Sequence, residues 1–233
     1  GESANEKIER LLEILEAQDA NAIFLSALDE IAWIFNIRCS DVLYNPVAIS
    51  YAYISTDKRI LFIDEAKIDA PAAEYLKSQG IETMPYEKAE AFLAKVKNDT
   101  ILLDPNKTSD TIARTIQNCQ VIYKASPIAI MKAVKNDTQI AGVRNAMVRD
   151  GVALVKLYMW LEENAPKGNF TEMDVAEKLI EFRKASPLYV GESFGMIAGY
   201  KEHGAIVHYE ADEKSASTIS AEGMLLIDTG AQY

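Results

Sequence analysis

Two side chains stand where their chemistry is worth asking about: His208, one of two histidines in the chain, and Asp228, which opens the triplet Asp228-Thr229-Gly230. An imidazole changes charge near neutral pH and accepts or donates a hydrogen bond accordingly. A carboxylate that follows an apolar run either bonds the turn behind it or shares a proton with a second aspartate to activate water. Each residue also has a plain reading. His208 fits a half-buried strand histidine bonded to a backbone carbonyl, and Asp228 fits a strand-end carboxylate that holds its own turn. The pattern alone leaves both open.

The paired-aspartate chemistry can be set aside. It needs a second triplet or a homodimer of small β-rich chains, whereas this chain has one triplet, at its end, after a mostly helical stretch. Other chemistry-bearing patterns are missing: there is no G-x-S-x-G elbow, P-loop, G-x-G-x-x-G or H-E-x-x-H.

The elements that must hold these residues form an interleaved pattern. Ala4–Gln18 reads as an amphipathic helix with Ile8, Leu11, Leu12 and Leu15 on one face. Extended segments are expected at 22–25, 31–37, 47–54, 60–63, 101–103 and 121–123, and helices at 70–78, 86–96 and 109–118. Such alternation implies an α/β domain with a partly parallel sheet over residues 1–135. A second unit, α+β in character, is expected over 136–233. It opens with a long helix that Asp137 or Thr138 caps, with a stripe of Ile140, Val143, Met147, Leu154, Tyr158 and Leu161. That helix stops at Asn164-Ala165-Pro166-Lys167-Gly168, and Thr171 with Asp174 starts another that runs to about Lys184. From Leu188 the chain reads as extended and glycine-punctuated, ending on the buried-strand pattern 223–228. A chain that stops so soon after a hydrophobic strand reads as cut rather than finished.

Composition narrows the function classes. Acidic residues outnumber basic ones 35 to 24, a net charge of -11, and the lysines form no patch, so nucleic acid is not the expected partner. No apolar run approaches the roughly 18 residues that cross a bilayer, so no membrane is expected either. Cys39 and Cys119 form neither a CxxC pair nor a disulfide framework, which points to a reduced, cytoplasmic setting. The N-x-S/T triplets at Asn98, Asn106, Asn136 and Asn169 read as loop and cap residues.

At Gly204-Ala205-Ile206-Val207-His208-Tyr209 and again at Leu225-Leu226-Ile227-Asp228-Thr229-Gly230-Ala231-Gln232-Tyr233, the chain resembles the pita-bread catalytic domain of Xaa-Pro aminopeptidases. Gly191-Glu192-Ser193-Phe194-Gly195, Val148-Arg149-Asp150-Gly151-Val152-Ala153-Leu154 and Trp160-Leu161-Glu162 agree with the same domain. Earlier, Ala27-Leu28-Asp29-Glu30-Ile31-Ala32-Trp33, Asn36-Ile37-Arg38, Ser40-Asp41 and Tyr44-Asn45-Pro46-Val47 are similar to the creatinase-like middle domain of the three-domain members. The resemblance implies a creatinase-like α/β domain followed by the first part of a pita-bread domain.

It also implies a reaction: release of the N-terminal residue from peptides with proline in second position. Two divalent metal ions, usually manganese (Mn2+), activate water for attack on the scissile carbonyl in this family. By resemblance Asp228 is the first aspartate ligand, and His208 is the catalytic, substrate-binding histidine near the scissile bond. The family's remaining ligands have no counterpart in this chain, so the chain by itself is expected to be inactive. Proline-containing peptides are the implied partners, and a homodimer of the complete protein is the family habit. Cys39 stands where the family has glycine, Met147 where it has histidine, and Lys201-Glu202-His203 replaces a characteristic turn. The rival readings are a metal-free binding module on the same fold, a prolidase, or a creatinase-type hydrolase.

Overall fold

Successive side chains of the run Ala22-Ile23-Phe24-Leu25 are all buried, yet they belong to two different cores, Ala22 and Phe24 to one and Ile23 and Leu25 to the other. That period of two is a strand with helices on both faces. The computed structural model describes residues 1–233, which divide into the units Gly1–Lys135 and Asn136–Tyr233.

The first unit runs α1 (Ala4–Glu16), β1 (Ala22–Leu25), α2 (Leu28–Phe35), β2 (Ser50–Ser55), β3 (Arg59–Ile63) and α3 (Ala70–Ser78). It continues with β4 (Glu82–Pro85), α4 (Ala89–Leu93), β5 (Thr100–Leu103), α5 (Asp110–Thr115), β6 (Gln120–Tyr123) and α6 (Pro127–Ala133). The six strands lie in the order β4-β3-β2-β1-β5-β6. β1, β2 and β3 form an antiparallel meander, while β3–β4, β1–β5 and β5–β6 are parallel. One core joins the sheet to α1, α2, α3 and α6 through Ile8, Leu11, Ile31, Phe35, Leu76 and Ile128. The other joins it to α4 and α5 through Phe62, Leu93 and Ile112. The partly parallel α/β sheet expected from sequence is therefore present.

One expected strand is a helix. The segment around Ile31–Ile37 forms α2, because Ile31, Ile34 and Phe35 repeat at helical spacing and are fully buried on one face. Asn36 ends it in the left-handed region, at φ 53°. Short apolar runs do not separate strand from helix by periodicity, and here tertiary packing decided. β4 and α6 have no counterpart in the sequence reading.

The second unit opens with α7 (Asp137–Asn164), capped by Asn136 and not by Asp137 or Thr138. The Gln139 N–H donates to Asn136 Oδ1 at 2.9 Å, and the Asn136 N–H donates back to Gln139 Oε1 at 3.0 Å. After a 3-10 turn at Ala165–Lys167, Gly168 turns the chain at φ 59°. α8 (Glu172–Lys184) then starts from the expected Thr171–Asp174 capping box. The remainder is not one extended run but four short strands: β7 (Gly191–Glu192), β8 (Ile197–Tyr200), β9 (Leu225–Asp228) and β10 (Ala231–Gln232). They pair antiparallel as β7–β10 and β8–β9.

Their core holds Leu157, Phe170, Val175, Leu179, Tyr200 and Ile219. The expected α7 stripe packs only in part: Leu154 and Leu161 reach this core, whereas Val143, Met147 and Tyr158 are exposed. No helix of the chain is long and apolar enough to cross a membrane.

Candidate active site

β9 determines where Asp228 points. Leu225 and Ile227 pack against the core of the second unit, so Leu226 and Asp228 stand on the other face of the strand and are exposed. The strand is thus half-covered and not buried throughout, as its apolar sequence suggested. Asp228 pairs with Ile197 at the end of the ladder, and its carboxylate makes no hydrogen bond or ion pair within the chain. The reading in which Asp228 bonds its own turn is therefore wrong.

The turn is held by other groups. Ser193 N–H donates to Gly230 O at 2.9 Å, and a Cβ at Gly230 would lie 2.5 Å from Ser193 Oγ. A side chain at 230 would have to push the Ser193 hydroxyl and the Phe194 ring aside. Thr229 Oγ1 accepts from Arg183 Nη1 at 2.8 Å. Arg183 is fully buried and bidentate on Asp150, with Nε to Oδ1 at 2.8 Å and Nη2 to Oδ2 at 3.0 Å. Its Nη1 also contacts Glu192. Burial lowers the Arg183 pKa, but the Asp150 hydrogen bond and the Glu192 and Asp150 charges outweigh it and hold the guanidinium above its ordinary value. Tyr233 O–H donates to Asp150 at 2.9 Å and Tyr189 O–H to Glu192 at 2.8 Å. Burial, then the bond to Asp150, pushes the Tyr233 phenol up to about 12.

His208 lies past the other end of the β8–β9 ladder. Tyr200 pairs with Leu225 there, and the chain then forms a 3-10 turn over Lys201–Ala205. Gly199 allows that turn to fold back, since a Cβ there would sit 2.9 Å from the Gly204 backbone. His208 is exposed, has φ 56° and no hydrogen-bond partner. It is not in a strand, and the half-buried strand reading fails. No hydrogen bond or ion pair joins it to Asp228.

Sequence reasoning missed the group that organises this loop. Glu172, at the first turn of α8, is fully buried and accepts from four residues. They are Tyr200 N–H at 2.6 Å, Ser217 N–H at 2.8 Å, Tyr209 O–H at 2.8 Å and His203 Nδ1 at 2.9 Å. The His203 ring stacks on Tyr209 with centroids 4.5 Å apart. Burial raises the Glu172 pKa, and the Ser217, Tyr200, Tyr209 and His203 donors more than offset this, leaving the carboxyl below its ordinary value. In the sequence Glu172 is an ordinary first-turn acid. Only the loop that folds over it gives it a role.

Asp228 has the donor chemistry for a hard divalent cation: an exposed carboxylate with no competing partner. No group of three or more His, Cys, Asp or Glu side chains in the chain is placed to hold a metal, around Asp228 or elsewhere.

Comparison with known proteins gives this geometry its context. Residues 1–139 match the Creatinase/Prolidase N-terminal domain family, and residues 141–233 match metallopeptidase family M24. Xaa-Pro aminopeptidase 1 of Dictyostelium discoideum is 38% identical over 239 residues, covering 100% of this chain and 38% of that protein. Aminopeptidase P2 of Arabidopsis thaliana is 34% identical, covering 91% of this chain and 34% of that protein. The chain thus spans well under half the length of these relatives. Among solved structures, an X-prolyl aminopeptidase of Caenorhabditis elegans, described as a cytosolic enzyme with a di-nuclear active site, superposes with a TM-score of 0.94 at 30% identity. The match covers 100% of this chain and 39% of that one. A Xaa-Pro dipeptidase from Bacillus anthracis shares the fold at a TM-score of 0.76 and 16% identity.

Proposed function

We propose that this chain, which belongs to the creatinase/prolidase N-terminal domain family and continues into metallopeptidase family M24, contributes to a cytosolic aminopeptidase that releases the residue preceding proline. The observation that carries this reading is the free carboxylate of Asp228, exposed at the end of β9 on a turn clamped from behind. Two divalent cations, with Mn2+ the expected metal, would supply an activated water and polarise the scissile carbonyl.

Asp228 contributes one oxygen ligand to that pair. His208 is exposed and unpartnered, so its ring is free to donate a hydrogen bond to the substrate oxygen that gains charge in the transition state. The proposal agrees with the names of the relatives, a Xaa-Pro aminopeptidase and an aminopeptidase P.

The chain by itself is inactive in this reading, because one carboxylate cannot hold two ions. In the complete protein, Asp228→Asn lowers metal content and abolishes turnover of a Xaa-Pro tripeptide. Full metal content and wild-type turnover in that variant would overturn the assignment. So would metal-dependent release of the N-terminal residue by this chain alone.

A further inference from the structure

We propose that the outer face of α7 is a self-complementary docking surface, on which a second copy of this protein lies antiparallel. The helix packs inward through Ala153 and Leu157, which are buried. Val148, Val152, Val155 and Met159 point the other way, and each is more than half exposed. At 3.6 residues per turn these four lie within about 60° of one another, on the side away from Ala153 and Leu157. Their spacing of four, three and four residues is that of a coiled-coil seam. Single exposed apolar residues are ordinary on a surface, whereas a continuous stripe of them marks a place of association.

The stripe reads alike from either end. A twofold axis between Val152 and Val155 sets Val152 against the second copy's Val155, and Val148 against its Met159. In such a pair, like edges meet. Along one edge Met147 comes opposite Tyr158 of the second copy, a favourable sulfur–aromatic pairing, and Arg144 comes opposite its Glu162. Arg144 and Glu162 stand about five turns apart on one line of the helix, and neither has a partner within the chain. The symmetry makes that ion pair twice. The net charge of -11 opposes self-association in general, but the one acid on α7 between Asp137 and Glu162 is Asp150, which Arg183 holds. The stripe itself is therefore free of acid charge.

The opposite edge restrains the association. Arg149 there faces the second copy's Lys156, a like-charge pairing, although Arg149 Nη1 leans to Ser186 Oγ at 3.5 Å. One helix pair is also small beside the roughly 1,200–2,000 Å² of a standard interface, so a micromolar dimer in exchange with monomer is expected.

The test is sedimentation equilibrium of the complete protein over a micromolar concentration series, with far-UV circular dichroism recorded for each variant. Arg144→Glu and Glu162→Arg each weaken the dimer about tenfold, and the double variant Arg144→Glu/Glu162→Arg returns to near the wild-type constant, because swapping both ends restores the pairing. Lys156→Glu tightens the dimer about tenfold, since it puts an acid opposite Arg149. Val152→Asp, at the centre of the stripe, leaves monomer throughout the series. Should Val152→Asp fail to fold, the exposed charge variants carry the test alone. A wild-type protein that is monomeric at every concentration overturns the proposal. So does a dimer that Arg144→Glu leaves unchanged, or one that the double swap fails to rescue.

Discussion

Replacing Glu172 by Gln should destabilise the second unit specifically, and by an amount that depends on pH. The substitution keeps an oxygen where Tyr200 N–H and His203 Nδ1 donate, but puts an NH2 group where Glu172 Oε2 accepts from Ser217 N–H and Tyr209 O–H. Tyr209 can rotate its hydroxyl to accept, whereas the Ser217 backbone N–H cannot. Hydrogen bonds to an ionised acceptor contribute about 1.5–3 kcal/mol each, and a buried donor left unsatisfied costs about 1–3 kcal/mol. The expected loss is about 2–4 kcal/mol at neutral pH, because two bonds lose their charge and one is replaced by opposed donors. With an m-value of about 2 kcal/mol per M in urea, the midpoint moves down by about 1–2 M.

The sequence provides a selective probe. Its two tryptophans fall one to each unit, and Trp160 packs on Phe170 with centroids 4.6 Å apart. Urea unfolding followed by Trp160 fluorescence in a Trp33→Phe background therefore reports the second unit. The sign with pH follows from the lowered carboxyl. The unfolded chain binds a proton at Glu172 before the folded one does, so this contribution is complete above the ordinary value of 4.5 and is lost as pH falls through the lower folded value. The gap between wild type and Glu172→Gln should narrow in acid. An unchanged midpoint at neutral pH, or a gap of the same size in acid, would refute the account of Glu172 as the organiser of this loop.

Two further outcomes are expected. Burial lowers the pKa of Lys7 from 10.5 to about 8, so between those values the unfolded chain binds more protons and the stability of the first unit rises with pH. Lys7 Nζ lies 4.3 Å from the Trp33 ring centroid, and Trp33 fluorescence in urea titrations across that range should show the rise in wild type and its loss in Lys7→Met. In the complete protein, His208→Ala should leave metal content intact and cut turnover by about 10²–10³-fold, the cost of losing one oxyanion donor. An emptied metal site would show that His208 acts on the metals instead.

What the sequence disclosed was the part governed by periodicity and local capping. The strands at Ala22–Leu25 and Ile60–Ile63 carry unbroken apolar runs, and Thr171 with Asp174 names its own helix start. α2 escaped because a short apolar run is compatible with either element until its partners are known. Asp228 was visible as a residue and a motif, while its freedom from any partner was not. That freedom depends on which face of β9 the core takes. Arg183 and Glu172 were invisible because each gains its meaning from segments far along the chain, Thr229 for one and Ser217 for the other. The departure at Lys201-Glu202-His203 also looks different in three dimensions: His203 there donates to the buried Glu172.

The strand order has a consequence for how the first unit comes into being. β1 sits inside the sheet with β2 on one side and β5 on the other, and the β1–β5 register joins Ala22 to Ile101. The meander β1–β2–β3 can assemble from neighbouring segments, but the second edge of β1 must wait for a stretch nearly eighty residues downstream. Non-local pairing of this kind is slow to form. On a ribosome adding about 5–20 residues per second, that edge stands open for roughly 4–16 seconds. Its four side chains are all destined for burial, so the interval is also when another chain's strand could most easily add to it.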